Sequence, residues 1–390
     1  MAVRGVFASD SNIVGTRRGD FASAILQVDP TGSAPLLALT SGMESAGASD
    51  VVITWFEENH LAGRIKNSTT ALDSDDTALT AVDGSQIVAG SIMLVEATGE
   101  YVFVTAVSGN VLTITRGFAG TTAGAIAASG FLQRIGTAFE EGSSRPVGIA
   151  QLGYPRFNYM QIFRNSWDVT GTARFVEHIT GDVVAKNKAD CSRFHAEDIE
   201  RSFWFGKKSI GVQNSKPFRT MDGLTAQITT NVSAQSSNVT ITNINDFLQD
   251  VFEKNIKGKP NERIAFCGNT VVSVINTLVL KQGTYNIVAG ETEFGMKVMK
   301  WITPFGDISL MTHPLFNENP LWTKDLHVLH PGAIRTRYLR KTAPDTYDSA
   351  GTRAGVDADF GVLTTECSIE YKAELTGGRY TGIDTAGAAI

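Results

Sequence analysis

The sequence predicts an α+β fold. One long amphipathic helix is predicted over residues 182–205, strand-like segments lie on both sides of it, and helices and strands do not alternate in the regular order of a βαβ protein. The chain has 390 residues, of which 42% are hydrophobic, enough for two or three structural units with their own apolar cores. We therefore expect separate sheets attached to one central helix.

The helix over 182–205 follows from the spacing of its apolar and charged residues. We expect Thr180 or Asp182 to cap its start and Gly206 to end it. The predicted charged side comprises Lys186, Asp190, Arg193, Glu197, Glu200 and Arg201. The predicted apolar side comprises Val184, Cys191, Phe194, Ile199 and Phe203.

Residues 1–68 are rich in Gly, Ser, Thr and Pro, with one strand-like stretch at 51–58. Residues 77–135 change to short Val-, Ile- and Thr-rich runs separated by turn signals such as Asp83-Gly84. This pattern predicts a β-meander of about four strands. We expect it to lack its own core, so that its strand edges need cover from a neighbouring subunit. The Gly- and Ala-rich loop at 117–130, before the closing strand of the meander, is expected to be flexible.

Strands are predicted at 157–163 and 169–178, before the long helix. After the helix, residues 220–242 are expected to form loops or edge strands. A second helix begins near Ile244, with Asn243 as its cap. The remaining predicted elements are a strand at 264–267, a helix at 270–282, a hairpin of 296–303 with 307–312, and strands at 326–329, 334–339 and 364–373. The last strand alternates, which predicts one wet face carrying Glu366 and Glu370.

The bulk composition argues against several functional classes. Net charge is −6, which is atypical of a dedicated nucleic-acid binder. Three cysteines lie far apart without a zinc or disulfide pattern, so a reducing compartment is expected. No segment has the length of a membrane span, and the first residues lack a signal-peptide core. We expect a protein made in a cytosol that makes no membrane contact.

Candidate catalytic and metal-binding groups are weak in this sequence. His313, His327 and His330 lack Cys, Asp or Glu at ligand spacing, so ordinary sheet histidines are favoured. Asp73, Asp75 and Asp76 form half a calcium loop without its Gly and Glu. Cys191 and His195 could form a nucleophile–base pair, but a buried structural cysteine is favoured. We therefore predict no catalytic residue, no metal site and no cofactor.

A basic cluster occurs near the end of the chain, with acidic residues soon after it. It comprises Arg335, Arg337, Arg340 and Lys341. A nucleic-acid patch is one interpretation. Complementary charges across subunits are favoured, because only Tyr338 accompanies the cluster as a stacking residue.

The order of these elements, together with four sequence stretches, resembles the major capsid proteins of tailed bacteriophages. The stretches are EYVFVTAVSGNVLTITRGFAGT, NYMQIFRNSWDVTGTARF, DISLMTHPLF and DLHVLHPGAIRTRYLR. Their resemblance is to a branch of the Hong Kong ninety-seven type fold with a β insertion in its extended loop. It covers roughly residues 50 to 375.

The resemblance implies five parts and a structural role. The parts are an N-terminal arm (1–68), an extended loop with a β insertion (69–145), a peripheral domain with the spine helix (146–220), an axial domain (221–359), and a returning peripheral strand with a C-terminal tail (360–390). It further implies homo-hexamers and homo-pentamers that form an icosahedral head around double-stranded DNA without sequence specificity. Scaffold, portal and decoration proteins are the other implied partners.

Two alternatives remain open at this point. An encapsulin-like cellular shell has the same fold and would hold a cargo peptide. A soluble α+β enzyme would instead have a deep pocket with convergent polar groups.

Overall fold

The computed structural model describes residues 45–58, 60, 63–68, 70–176, 181–235, 238–282, 287–293, 296–303, 305–347 and 357–385. Residues 1–44 of the predicted N-terminal arm, and the last residues of the predicted tail, lie outside this described part. The chain divides into two compact units. Unit 1 comprises Met1–Trp55 with Arg156–Ile390, and unit 2 comprises Phe56–Pro155.

The first half of the described chain is mainly strands. They are β1 (Ser45–Gly47), β2 (Val52–Glu57), β3 (Arg64–Lys66), β4 (Ala78–Thr80), β5 (Ser91–Val95), β6 (Tyr101–Ser108), β7 (Val111–Thr115), β8 (Phe131–Thr137), β9 (Tyr154–Tyr159) and β10 (Gln161–Thr170).

The second half mixes helices and strands. Its elements are α1 (Gly171–Phe175), α2 (Val183–Phe205), β11 (Ser209–Gln213), β12 (Lys216–Thr220), α3 (Leu224–Gln227), β13 (Val232–Ala234), α4 (Ile241–Phe252), β14 (Glu262–Cys267), α5 (Asn269–Gln282), β15 (Ile287–Glu293), β16 (Met296–Ile302), β17 (Asp307–Thr312), β18 (Leu326–Leu329), β19 (Ile334–Tyr347), β20 (Ala358–Tyr371) and β21 (Gly378–Thr381).

Unit 2 is a six-stranded sheet in the order β3-β8-β5-β6-β7-β4. Its two end strands are joined by an antiparallel bridge between Asn67 and Ala81. On either side of that bridge, Ser68 N–H donates to Thr80 O and Val82 N–H donates to Lys66 O, each at 2.8 Å. The sheet therefore closes on itself, and its end strands are covered by the same chain.

The closed sheet of unit 2 encloses an apolar core. Its buried residues are Ile65, Leu72, Leu79, Ala81, Ile87, Met93, Val95, Val102, Val104, Leu112, Ile114, Ile126 and Leu132. The expectation that the meander lacks its own core is wrong. The physical reason is that β3 and β4 are three residues each, too short to show a period-2 pattern, yet they complete the enclosure.

A buried ion pair holds the long loop of unit 2. Glu100 and Arg116 lie 2.8 Å apart with side chains 0% and 6% exposed. Glu100 also accepts hydrogen bonds from Gly117 N–H and Gly124 N–H. The Gly- and Ala-rich loop, predicted to be flexible, is thus anchored to β6 and β7 at its near end.

Unit 1 contains two larger sheets. One has the order β1-β19-β20-β10 and the other the order β13-β21-β18-β14-β17-β16-β15. The long helix α2 packs along β10 and β20. Trp204 at its C-terminal end is fully buried with Phe266 and Phe316, so this helix end lies in the main core of unit 1.

Helix α2 agrees with the predicted range but buries a different set of residues. Asp182 caps its start, accepting from Val184 N–H at 2.8 Å, and Gly206 ends it. Phe194, predicted on the apolar side, is 49% exposed, whereas Glu200, predicted on the charged side, is 0% exposed. Glu200 is buried because polar side chains, described below, form hydrogen bonds with its carboxylate.

Three further predictions are corrected by unit 1. Of the predicted strand at 169–178, only residues 169–170 belong to a strand: β10 ends at Thr170, whose side chain caps α1, and residues 177–178 lie outside the described part of the chain. Helix α4 is capped by Thr240, with Asn243 completing a capping box, not by Asn243 itself. Strand β20 is buried on both faces near its end, because Arg340 and Arg337 of β19 lie across from Glu366 and Ser368.

Candidate functional site

The three histidines singled out in the sequence lie in different environments. His313 and Glu200 are both fully buried and lie 2.7 Å apart. Leu315 N–H donates to His313 Nδ1 at 3.2 Å, so Nε2 carries the ring proton and donates to Glu200. Trp204 Nε1 also donates to Glu200, at 3.3 Å. This closed network fastens the end of α2 to the strands.

His327 and His330 are neutral in this fold. Burial, together with Arg379 and His313, lowers the pKa of His327 to about 3, and its ring nitrogens make no hydrogen bond within the described residues. Burial, together with Arg263, lowers the pKa of His330 to about 4. His330 Nε2 donates to Asn255 Oδ1 at 3.1 Å, because Nδ1 accepts from Gly332 N–H.

Cys191 and His195 do not form a nucleophile–base pair. His195 lies between Asn165 and Thr365, with 2.7 Å from each ring nitrogen to its partner. Since Asn165 Oδ1 can only accept, Nδ1 donates to it, and Nε2 accepts from the Thr365 hydroxyl. Burial raises the pKa of the Cys191 thiol, which disfavours the reactive thiolate.

The acidic turn at 73–76 uses an aspartate side chain to hydrogen-bond to its own backbone. The Asp76 carboxylate accepts from Asp73 N–H at 2.7 Å, and Arg116 donates to Asp73 O at 2.6 Å. Among the described residues, no group of three or more His, Cys, Asp or Glu side chains is arranged to hold a metal ion.

The basic cluster is paired mostly within the chain. Arg340 lies 2.9 Å from Glu366, and Arg337 lies 3.4 Å from Glu370. Both carboxylates belong to β20, directly beside the arginines of β19. These two arginines therefore have acidic partners within the chain, because β19 pairs antiparallel with β20. The expectation of complementary charges across subunits stays a prediction.

A shallow basic groove lies at one end of β19. Its volume is about 350 Å³, and it is lined among others by Lys259, Glu262, His330, Arg335 and Lys372. Lys372 also lies 3.6 Å from Glu370. No nucleophile–base arrangement lines this groove.

Several described apolar side chains are highly exposed, among them single ones such as Phe175 at 85% and those of two longer stretches. The first is the stretch between β8 and β9, where Val147 and Leu152 are 81% and 86% exposed. The second is the β-ribbon formed by β11 and β12, where Val212 is 73% exposed. Exposed apolar surface of this kind is typical of protein–protein contact sites.

The ribbon β11–β12 was missed by sequence reasoning. Its signal is the Asn214-Ser215 pair between two short β-compatible runs. Both residues have positive φ, 51° and 59°, which is the geometry of a two-residue hairpin turn. Phe218 packs over Gly211, where a side chain would collide with the ring.

None of the helices that the structure describes combines the length and the apolar content needed to cross a lipid bilayer.

Comparisons with known proteins agree with this architecture. The family model described as SU10 major capsid protein matches residues 8–384. The major capsid protein of Pseudomonas phage PaMx41 is 30% identical, and the match covers 94% of this chain and 92% of that protein.

Solved structures similar to this chain include two phage proteins. A chain from Mycobacterium phage Bobi has a TM-score of 0.51 at 9% identity, covering 96% of this chain and 98% of that one. A chain from the capsid of Myoviridae phage XM1 has a TM-score of 0.46 at 8% identity, covering 97% and 99%. The structure from Mycobacterium phage Bobi, with the higher TM-score, supports the fold.

The fold is that of a tailed-phage shell protein, of the Hong Kong ninety-seven type predicted from the sequence. The chain belongs to the SU10 major capsid protein family. It is thus a phage major capsid protein, and the capsid interpretation is favoured over the encapsulin-like shell and the soluble enzyme.

Proposed function

We propose that this protein is the structural subunit of an icosahedral head, assembling into hexamers and pentamers that enclose a double-stranded DNA genome. The observation that carries the proposal is the family match over residues 8–384. The exposed apolar side chains between β8 and β9 and on the ribbon β11–β12 support it, because a subunit designed to remain alone would rarely leave them in water.

The main partner is the same chain. Scaffold, portal and decoration proteins are further partners of a head of this kind. Packaged DNA is held without sequence specificity, and the net charge of −6 limits its adhesion to the shell wall. The protein is made in the host cytoplasm and ends in the virion.

The role is structural and not catalytic. The histidines and the cysteine considered as catalytic candidates take part in internal packing and hydrogen bonds. His195, for example, lies between Asn165 and Thr365. We also propose the five-part division into arm, extended loop, peripheral domain, axial domain and returning strand, with the boundaries given above.

The test is assembly of the purified chain. Size-exclusion chromatography with light scattering is expected to yield capsomers or larger particles, and negative-stain electron microscopy is expected to show closed shells. A monomer at every concentration, with and without a co-expressed scaffold, would overturn the proposal. A cargo peptide sequestered inside purified particles would favour the encapsulin-like alternative.

A further inference from the structure

The ribbon β11–β12 has two edges of different character. Its two-residue turn makes Gln213 and Lys216 the first cross-strand pair, and in a hairpin of this type that pair exchanges both hydrogen bonds. The next pair, Val212 with Pro217, and the pair Ile210 with Arg219 are then non-hydrogen-bonded pairs. Their backbone polar groups point away from the ribbon.

The outer edge of β12 lacks a hydrogen-bond donor at one position, whereas the outer edge of β11 is complete and unpaired within the described strands. Pro217 has no N–H to offer at the β12 edge. On β11, Ile210 and Val212 offer N–H and C=O groups, and their side chains are 55% and 73% exposed. Among the described strands, β11 pairs with β12 alone. An open edge with apolar side chains is a template for another strand.

A stretch of chain suited to such an edge lies in unit 2. Residues 144–152 form no helix or strand and make no hydrogen bond with the described part of the chain. In an extended chain Val147 and Ile149 share one face, and they are 81% and 40% exposed. Successive residues of a strand point their N–H and C=O groups to opposite edges. Pro146, which lacks an N–H, therefore leaves intact the edge to which Val147 and Ile149 contribute their backbone groups.

We propose that residues 145–149 of one copy add as a third strand to β11 of a second copy. Val147 and Ile149 then exchange backbone hydrogen bonds with Ile210 and Val212, and the four apolar side chains cover one another. Neither stretch makes these bonds within its own described chain, which is why the occupant is a second copy. The pairing deepens the proposed function, since shell assembly is what brings copies together.

Charge favours the same pairing. Between Gly206 and Thr220 the chain carries four cations and no carboxylate, namely Lys207, Lys208, Lys216 and Arg219, of which Lys208 is paired with Asp222. Glu140 and Glu141 lie shortly before the segment that would dock, whose first residue is the cation Arg145, and both glutamates are exposed. The opposite charges of the ribbon and of this glutamate pair assist encounter.

Proline substitution tests the backbone pairing with matched controls. Val212→Pro removes the outward N–H but leaves the internal bonds of the ribbon, as Pro217 already does across from it. We expect Val212→Pro to raise the protein concentration needed for assembly at least tenfold, whereas Val212→Thr, which keeps the N–H, has little effect. In the docking segment, Val147→Pro has the same expected effect and Gly148→Pro does not. Circular dichroism checks that each variant is folded.

Cross-linking tests the identity of the occupant. A Val147→Cys chain is mixed with a Val212→Cys chain, and the three other combinations of positions 147 and 149 with positions 210 and 212 are tested in parallel. The native cysteines Cys191, Cys267 and Cys367 are buried. A disulfide-linked dimer is expected only in mixtures, with each single variant alone as the control.

The outcomes separate the two proposals. If the wild-type chain forms shells but no mixture cross-links, or Val212→Pro assembles like wild type, the strand pairing is wrong and the proposed function stands. If the wild-type chain never assembles, the proposed function fails. Cross-linking of the mixed chains, which requires contact and not closed shells, then still decides for or against the pairing.

Discussion

Glu374 accepts a hydrogen bond from the backbone N–H of Thr229 at 2.7 Å. The same carboxylate accepts from Thr230 N–H and from both threonine hydroxyls. It is only 3% exposed. The C-terminal segment of unit 1 is thereby fastened to the loop that follows α3, through one buried side chain.

Replacing this carboxylate is expected to destabilise unit 1. Glu374→Gln removes an acceptor that several donors share, and we expect the free energy of unfolding at pH 7 to fall by about 1–3 kcal/mol. The control is Glu318→Gln, a surface carboxylate paired with Arg201, which should change stability by less than about 1 kcal/mol. Urea denaturation of both variants measures the difference, and equal effects would contradict this role for Glu374.

The contribution of Glu374 should also depend on pH. Burial alone would raise its pKa, but hydrogen bonds from Thr229 and Thr230 outweigh burial and leave the pKa below its ordinary value of 4.5. The unfolded state therefore takes up this proton first as pH falls. The stability difference between wild type and Glu374→Gln should be full above about pH 4.5 and shrink below it.

Unit 2 is expected to fold alone. Its sheet is closed by the Asn67–Ala81 bridge and encloses its own core, so a fragment of residues 56–155 should show one cooperative thermal transition. Leu112→Ala should lower its stability by about 2–5 kcal/mol. The neighbouring Val111, 41% exposed where Leu112 is 1% exposed, provides the control Val111→Ala, which should be close to neutral. A fragment without cooperative melting would contradict this autonomy.

The buried ion pair of unit 2 should matter far more than a surface pair. Arg116→Ala leaves Glu100 buried without its partner, which should cost about 3–5 kcal/mol and expose the loop at 117–130 to proteolysis. Arg64→Ala breaks the pair with Glu96, where the side chains are 45% and 37% exposed, and should change stability little because solvent screens an exposed pair. Denaturation and limited proteolysis of the 56–155 fragment measure both, and similar losses would contradict the distinction.

His327 should contribute to acid sensitivity. In the folded protein its pKa is lowered from 6.5 to about 3. Between these two pH values the unfolded state binds a proton on His327 and the native state does not. Stability is then lost as pH falls from about 6.5 toward 3. His327→Phe should stay within about 1.5 kcal/mol of wild type at pH 7 and lose stability less steeply below pH 6.5. An unchanged pH slope in denaturation experiments would contradict this.

Local periodicity was sufficient for much of the fold. The 3.6-residue spacing over 182–205 predicted α2, and turn residues such as Asp83-Gly84 predicted the short strands around them. These features are encoded by neighbours in sequence. The order of such elements also led to the capsid family, although no single stretch carried a catalytic or binding motif.

Local periodicity could not predict which distant groups meet. Glu200 looked like a surface charge, yet it is buried because His313 and Trp204 reach it. The β20 face with Glu366 and Glu370 looked wet, yet the arginines of β19 cover it.

The sequence by itself therefore determined the elements, their order and the family, because periodicity and turn chemistry act between residues close in the chain. Only the tertiary structure decided that unit 2 closes through Asn67 and Ala81, that Glu374 holds Thr229, and that one edge of the ribbon stays open. Each of these depends on groups far apart in sequence, whose meeting is set by strand register and packing and leaves no local pattern.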